Sequence, residues 1–154
     1  MEEDHAMIQR TFDIALCFGV MNEMFDDIFE DNAEPATPDV MNEYWMCVYQ
    51  DIDLIGIYRL HQLNGITYQI HAMIRPKYRH IKTHGAEILK WCLENLEFEK
   101  LVAEIPEIYP NVYHYCKKWS KDEGINRSNF LKNGKIHHSY RLGVTKEELC
   151  QAML

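Results

Sequence analysis

The chain has 154 residues, of which 24 are Asp or Glu and 16 are Lys or Arg, so its formal net charge is −8. This acidic balance argues against a basic face for a phosphate backbone, and we expect no nucleic-acid partner. Hydrophobic residues make up 47% of the chain and charged residues 26%. This composition predicts a globular fold, and the length fits one domain over residues 1–154 with its own core.

The sequence carries no signal for a membrane, an export route or a metal. No apolar run approaches the roughly 20 residues that span a bilayer. Because residues 1–4 are also acidic, we expect no secretory signal and no membrane partner. The five cysteines are far apart and form no CxxC pair, which predicts reduced thiols in the cytoplasm. Only His80 and His84 have a metal-ligand spacing, and no acidic third ligand is adjacent, so we expect no metal site.

Residues 1–39 form an N-terminal helical part. Apolar residues recur at steps of three and four between Ile14 and Ile28, which predicts one amphipathic helix. A short first strand over residues 5–12 is left open. Residues 31–39 contain two prolines among small and acidic residues and therefore predict a loop.

The pattern then changes to three strands, Tyr44–Tyr49, Leu54–Leu63 and Ile66–Ile74, rich in β-branched and aromatic residues. The polar residues 50–53 predict the first turn between them. Asn64-Gly65 is typical of a type I′ turn and predicts the second. A two-residue turn at that position fixes the register of the second and third strands. The predicted opposite pairs are Leu63–Ile66, His61–Tyr68, Arg59–Ile70 and Ile57–Ala72.

The predicted core covers residues 40–143. After the three strands, it alternates helices and strands. The predicted elements are a helix over His80–Leu96, a strand over Leu101–Ile105, a helix over Asn111–Glu123 and a hairpin of Ile125–Lys132 with Lys135–Leu142. A second Asn-Gly pair forms the hairpin turn, and Thr145 with Glu148 has the spacing of a capping box that starts a last helix. The strand–helix–strand crossover predicts an α+β fold, with a mixed, mainly antiparallel sheet and one parallel pair.

Three short motifs carry a resemblance to a known family. The strand end Ile74-Arg75-Pro76-Lys77-Tyr78-Arg79 runs into Gly85-Ala86, and Asn111 and Gly124-Ile125 follow at later positions. This pattern, within residues 40–143, resembles the GNAT superfamily of acyl-CoA N-acyltransferases. The resemblance implies an α+β GNAT-like fold and acetyl-CoA or a related acyl-CoA as co-substrate.

The segment Arg79–Ala86 predicts a pyrophosphate site, and its alternative is a solvated helix start with mixed cations. Successive backbone N–H groups at a helix N-terminus bind anions, glycine allows close approach of the backbone, and arginine adds charge-assisted hydrogen bonds. The resemblance implies cofactor contacts from this loop, from the end of the preceding strand and from the later helix. The implied residues are Ile74, Arg79, His80, Thr83, His84, Gly85, Ala86 and Asn111.

The sequence departs from the family pattern at two points. The two glycine positions of the motif hold Lys82 and His84 if the motif begins at Arg79. They hold Thr83 and Gly85 if it begins at His80. The position that often holds the general-acid tyrosine is Ser120.

Two catalytic roles are predicted. Tyr113 and Tyr115 are the nearest hydroxyls, and Tyr115 is the predicted proton donor, with packing as the alternative role. Glu104 is the predicted proton acceptor, and its alternative is an outward polar residue on an alternating strand.

The sequence leaves two functions open. The first is transfer of an acyl group from acyl-CoA to an unknown amine by direct attack, with orientation and an oxyanion donor as the main contributions of the enzyme. The second is a non-catalytic GNAT-like interaction protein. Residues 118–145 resemble small proteins encoded by tailed bacteriophages, and this resemblance implies phage structural proteins as partners, in the host cytoplasm or the virion. A homodimer is a further expectation.

Overall fold

The computed structural model describes residues 6–153, which form one seven-stranded sheet with helices on both faces. The strand order across the sheet is β1-β2-β3-β4-β5-β7-β6. A 3₁₀ turn over Pro76–Tyr78 precedes α3. The elements are β1 Met7–Arg10, α1 Ile14–Glu23, α2 Phe25–Ile28, β2 Tyr44–Gln50, β3 Asp53–Gln62, β4 Thr67–Ile74, α3 His84–Asn95, β5 Lys100–Pro106, α4 Pro110–Cys116, β6 Lys121–Lys132, β7 Lys135–Thr145 and α5 Lys146–Met153.

The predicted parallel crossover is confirmed. Strands β4 and β5 pair in parallel, and α3 connects them. The pairing covers only three positions, from Thr67 opposite Lys100 to Gln69 opposite Val102. Beyond Gln69, β4 continues to pair with β3, and beyond Val102, β5 continues to pair with β7. The two strands therefore diverge toward their carboxyl ends, and the sheet opens at its centre.

The three-stranded meander is confirmed, but the predicted register between β3 and β4 is wrong. Arg59 lies opposite His71, one position away from the predicted Ile70. The Asn64 carboxamide accepts a hydrogen bond from the Ile66 N–H (2.9 Å), and neither Asn64 nor Gly65 adopts a positive φ. This Asx turn makes the loop longer than a type I′ turn, and the strand register shifts with it.

Three local predictions from turns and caps can be compared directly. The Asn133-Gly134 turn is confirmed, since both residues have positive φ (52° and 75°) and the flanking lysines pair. The Thr145 and Glu148 side chains each accept the other residue's N–H at 3.1 Å, which confirms the capping box. The strand left open at 5–12 is β1, although residue 5 lies outside the described residues.

Two predicted helices differ from the structure. The single helix over 14–28 is interrupted at Met24, which separates α1 from α2. The helix predicted over 111–123 ends at Cys116, because the chain turns there and enters β6 at Lys121. The Asp122 carboxylate accepts hydrogen bonds from the Tyr113 hydroxyl (2.7 Å) and the Gly124 N–H (3.1 Å). Asp122 is therefore a residue of β6 that contacts α4, and not the end of a longer helix.

The sheet packs on both faces. One face, called here the α3 face, carries a buried cluster beneath α3 and α5 that includes Met46, Leu60, Ile88 and Leu149. The opposite α1 face carries a second cluster that includes Cys17, Trp45, Ile57 and Met73. Because successive strand residues alternate between faces, these clusters assign each site residue on a strand to one side of the sheet. No helix within residues 6–153 is long and apolar enough to cross a membrane.

All five cysteines are free, and Cys17, Cys47 and Cys92 are buried. Burial raises the pKa of Cys17 and of Cys92 to about 12, so these thiols stay protonated and unreactive. We expect a thiol reagent to find five groups in unfolded, non-reduced protein and no more than two, Cys116 and Cys150, in folded protein. A count of three or fewer after unfolding would contradict the prediction of reduced cysteines.

Candidate functional site

The divergence of β4 and β5 creates a small cavity at the centre of the sheet. Its volume is about 10 Å³, and its lining residues are Gln69, Val102, Ala103, Glu104 and Arg141. A space of this size holds about one water molecule. The opening in the sheet is therefore present, and in this conformation it is narrow.

Helix α3 follows β4 after residues 75–83, which include the 3₁₀ turn Pro76–Tyr78, so its N-terminus comes after the carboxyl end of β4. Its first residue is His84, after Thr83 at the N-cap position. The Gly85 N–H donates a hydrogen bond to the Tyr115 hydroxyl (2.9 Å), and that hydroxyl donates to the Lys82 carbonyl (2.6 Å). The side chain of Tyr115, from α4, thus caps the end of α3 that the sequence predicts to bind pyrophosphate.

Trp119 covers the same helix end. A Cβ atom placed on Gly85 would lie 2.8 Å and 2.9 Å from two ring atoms of Trp119 and even closer to the Tyr115 hydroxyl. The Tyr115 and Trp119 rings meet edge to face with centroids 5.2 Å apart. Gly85 is therefore required by close packing in this conformation, whether or not a cofactor binds.

His84 lies beneath this contact and is only 5% exposed. Its Nδ1 atom is 2.6 Å from the hydroxyl of Tyr58, a fully buried side chain that sequence reasoning did not select. Burial and the nearby Lys82 charge lower the pKa of His84 to about 4, so the imidazole is neutral at pH 7. His84 is part of a buried polar contact between α3 and β3.

Arg79 and Ile74 are in direct contact. The Arg79 Nε donates to the Ile74 carbonyl (3.0 Å), and a terminal nitrogen lies 3.5 Å from the Asp27 carboxylate. The guanidinium is about half exposed and lies at the carboxyl end of β4. His80 is exposed on the same turn.

The remaining predicted residues lie on α4 and on β5. Asn111 is exposed in the first turn of α4 and lies one helical turn before Tyr115, on the same helix face. Glu104 is exposed on β5 opposite Arg141 and, by strand alternation from Leu101, faces the α1 side. The structure brings Tyr115 to the Thr83–Ala86 helix end and places Glu104 on the other face of the sheet.

A pair of histidines on the α1 face was missed by sequence reasoning. His61 and His71 have Nε2 atoms 3.2 Å apart and nearly parallel rings. Burial and the adjacent Arg59 charge lower the pKa of both, that of His71 to about 4. The pair depends on the true β3–β4 register, so the predicted register concealed it. No group of three or more His, Cys, Asp or Glu within the described residues could hold a metal ion.

An acidic edge on α1 and α2 lies beside the carboxyl end of β4. Glu23 accepts two hydrogen bonds of 2.8 Å from Arg75, a residue whose role the sequence did not reveal. Arg75 also donates to the Leu54 carbonyl (2.8 Å) and so connects α1 to the sheet. Asp26 of α2 and Glu30, two residues after α2, are exposed, which leaves negative charge on this side of the molecule.

Comparison of the sequence with protein-family models and with curated proteins finds no match. Comparison of the structure finds clear likenesses. A mutant form of the spermidine/spermine N-acetyltransferase SpeG of Vibrio cholerae is 14% identical, with a TM-score of 0.80 over 97% of this chain and 98% of that one. The Vibrio cholerae spermidine N-acetyltransferase in complex with CoA and spermine is 15% identical, with a TM-score of 0.80 over 96% and 99% of the two chains.

The chain has the GNAT fold. Both likenesses cover nearly the whole of each chain, so the fold predicted from the sequence motifs is confirmed. At this level of identity the likeness establishes the architecture, and the chemistry depends on the residues of this chain. Within the GNAT fold, Tyr115 and Trp119 lie against the N-terminus of α3, and Glu104 and His71 lie on the α1 face.

A matched pair of glycine substitutions tests the packing at α3. Gly85→Ala forces the new methyl group against Tyr115 and Trp119, whereas Gly19 in α1 has no atom within 4 Å of an added Cβ. Both changes replace a glycine in a helix by alanine, so both variants gain helix propensity and the comparison isolates the steric contact. We expect Gly85→Ala to be less stable than Gly19→Ala by about 1–3 kcal/mol in urea unfolding. Equal stabilities would contradict the observed contact.

The neutral histidines predict how stability depends on pH. The pKa values of His71 and His84 are lowered from 6.5 to about 4 in the folded chain. As pH falls, the unfolded chain therefore becomes protonated at these histidines before the folded chain does. Their contribution to stability is fully present above pH 6.5 and is lost as pH falls toward 4. We expect His71→Gln to reduce the loss in unfolding free energy between pH 7 and 4.5. The exposed His80→Gln variant serves as the control and should retain the wild-type dependence.

Proposed function

We propose that this protein is an acyl-CoA-dependent N-acyltransferase that acts on an amine. The observation that carries the proposal is the parallel β4–β5 pair that diverges after three positions, with the N-terminus of α3 beside the opening. A central opening with an anion-binding helix end beside it fits a thioester that is attached to a pyrophosphate-containing carrier. The spermidine N-acetyltransferase with CoA and spermine shares the same architecture and supports this proposal.

Each part of the carrier would meet a suitable group of this chain. The first-turn N–H groups of α3 over Thr83–Ala86 would bind pyrophosphate oxygens, and Arg79 would add a charge-assisted hydrogen bond from the end of β4. The backbone N–H groups of β4 near Ile74, on the strand edge that has no partner in β5, would bind the acyl end of the carrier and polarise its carbonyl. Asn111, on the exposed face of α4, would contact the arm between these two ends.

The acceptor amine would approach from the α1 face, where Glu104 and His71 lie on the strands on either side of the opening. In the proposed reaction the amine nitrogen attacks the thioester carbonyl carbon, the C–S bond breaks, and the sulfur leaves as a thiolate that takes a proton. The acceptor ammonium first loses one proton to Glu104, directly or through water, which frees the nitrogen lone pair for attack. The nitrogen loses a second proton to solvent as the amide forms, and this loss matches the proton that the thiolate takes up. Tyr115 remains the predicted proton donor to sulfur, and burial raises the pKa of its hydroxyl to about 12, so it stays protonated at pH 7.

The charge of the chain supports a polycationic acceptor. The net charge is −8, and exposed carboxylates of α1 and α2 lie beside the carboxyl end of β4, where Glu23 and Asp27 pair with Arg75 and Arg79. Such a field attracts amines that carry several positive charges. The spermine and spermidine named for the structural neighbours belong to this class. We therefore propose a polyamine as the first acceptor to test.

The direct test is release of free CoA thiol from acetyl-CoA in the presence of spermidine, with the intact chain. We expect Arg79→Ala to lower CoA affinity about ten- to hundredfold, because one charge-assisted contact is lost. The control variant is Arg127→Ala, which removes an exposed arginine from β6, away from α3. Equal affinities for the two variants would remove Arg79 from the proposed site.

One observation favours the second candidate, a non-catalytic interaction protein. The predicted pyrophosphate site is filled by Tyr115 and Trp119, and the cavity at the sheet opening holds about one water molecule. Isothermal titration calorimetry with millimolar acetyl-CoA separates the two functions. The absence of binding heat from folded protein would favour the non-catalytic function and would direct the search to protein partners.

A further inference from the structure

The end of α3 that would bind the carrier is already occupied by side chains of the same molecule. The Gly85 N–H has the Tyr115 hydroxyl as its acceptor, and the Trp119 ring covers the bare Cα of Gly85. Both aromatic residues come from one short segment, the end of α4 and the turn that follows it. An incoming pyrophosphate would need the same N–H group and the same space.

We propose that Tyr115 and Trp119 form a latch that closes the diphosphate site, and that acyl-CoA binds only after this segment has moved away from α3. This inference rests on the proposed function, because it concerns the same cofactor site. In the closed state the phenolic hydroxyl takes the place of a phosphate oxygen. A diphosphate forms stronger, charge-assisted hydrogen bonds than a neutral hydroxyl, so it can displace the tyrosine when it is present.

The segment that carries the latch is built to move. Helix α4 has only seven residues, and none of them is fully buried, although Tyr115 and Cys116 are partly buried. Its first half is held elsewhere, since the Tyr109 hydroxyl donates to the Asp27 carbonyl (2.6 Å) and the Tyr113 hydroxyl to Asp122 (2.7 Å). The buried Tyr58–His84 contact lies beneath the latch and does not depend on the Tyr115 hydroxyl. The latch can therefore open at the end of α4 while α3 keeps its anchor to the sheet.

Two lysines next to the latch identify the chemical class of the ligand. The Lys82 and Lys118 ammonium groups lie 5.5 Å and 5.0 Å from the centre of the Tyr115 ring. In the closed state they face the π-system of the tyrosine. When the ring leaves, the same two charges would lie beside the Gly85 N–H that the tyrosine hydroxyl had occupied. Two cations beside a helix N-terminus favour an anionic group with two or more charges, as in a diphosphate.

The latch raises the apparent dissociation constant of CoA by an amount that can be measured. If only a fraction of the molecules is open, the apparent dissociation constant equals the intrinsic constant divided by that fraction. Tyr115→Phe removes the hydroxyl and leaves the Gly85 N–H without an acceptor in the closed state. This change raises the open fraction, so CoA should bind more tightly to the variant than to the wild type.

The experiment is calorimetric titration of CoA into wild-type protein and two tyrosine variants of α4. Tyr115→Phe should lower the dissociation constant about two- to tenfold, which corresponds to loss of the hydroxyl contact. The matched control is Tyr113→Phe, which loses a hydroxyl bonded to Asp122 and not to α3; its dissociation constant should stay at the wild-type value. Trp119→Leu should act like Tyr115→Phe and replaces it if that variant does not fold.

Hydrogen exchange of the Gly85 amide gives a readout that requires no cofactor. We expect faster exchange in Tyr115→Phe than in the wild type, with no change in Tyr113→Phe. Equal or weaker CoA binding by Tyr115→Phe and Trp119→Leu, with the wild type still binding, would overturn the latch and leave the proposed function intact. Absence of CoA binding by all variants, despite faster Gly85 exchange, would instead overturn the proposed function and the role of the latch in it.

Discussion

The structure depends on the short parallel ladder between β4 and β5. Parallel pairing stops after Gln69 and Val102, because each strand continues with its other neighbour, β3 or β7. These two antiparallel ladders set the directions of the strands, and the divergence between them leaves backbone groups at the centre of the sheet without strand partners. The crossover then starts α3 after the carboxyl end of β4. The opening and the position of this helix N-terminus are thus consequences of one topological arrangement.

The two faces of the opening have different chemistry. On the α3 face, the helix end is surrounded by the Lys82 and Lys118 charges and covered by two aromatic rings. Glu104 and the neutral His61–His71 pair lie on the α1 face, and the acidic edge of α1 and α2 lies at the carboxyl end of β4. Arg75 and Arg79 neutralise part of that edge through Glu23 and Asp27. Positive charge therefore lies beside the start of α3, and exposed carboxylates lie on the α1 side of the sheet.

The closed contact at α3 bears on both candidate functions. The missing motif glycine, which the sequence shows as Lys82, His84 or Thr83, coincides with a helix end that is filled by side chains. In a non-catalytic protein this packing would be permanent and would simply complete the core. In an enzyme it must be reversible, and α4 contributes no fully buried residue that would have to leave the core. The difference between the two lies in the free energy that separates the closed and open positions of Tyr115.

The sequence by itself determined features that depend on a few neighbouring residues. The Asn133-Gly134 turn, the Thr145–Glu148 capping box and the order of strands and helices follow from local backbone preferences and hydrophobic periodicity, and the crossover follows from that order. Only the tertiary structure decided the β3–β4 register, the end of α4 and the contact of Tyr115 with Gly85. The register depends on the Asn64 carboxamide, which forms an Asx turn in place of the type I′ turn. The end of α4 and the Tyr115 contact depend on residues that are distant in the chain. The backbone preferences of neighbouring residues cannot predict such contacts, because burial and packing against distant residues set the free energies of the contacts.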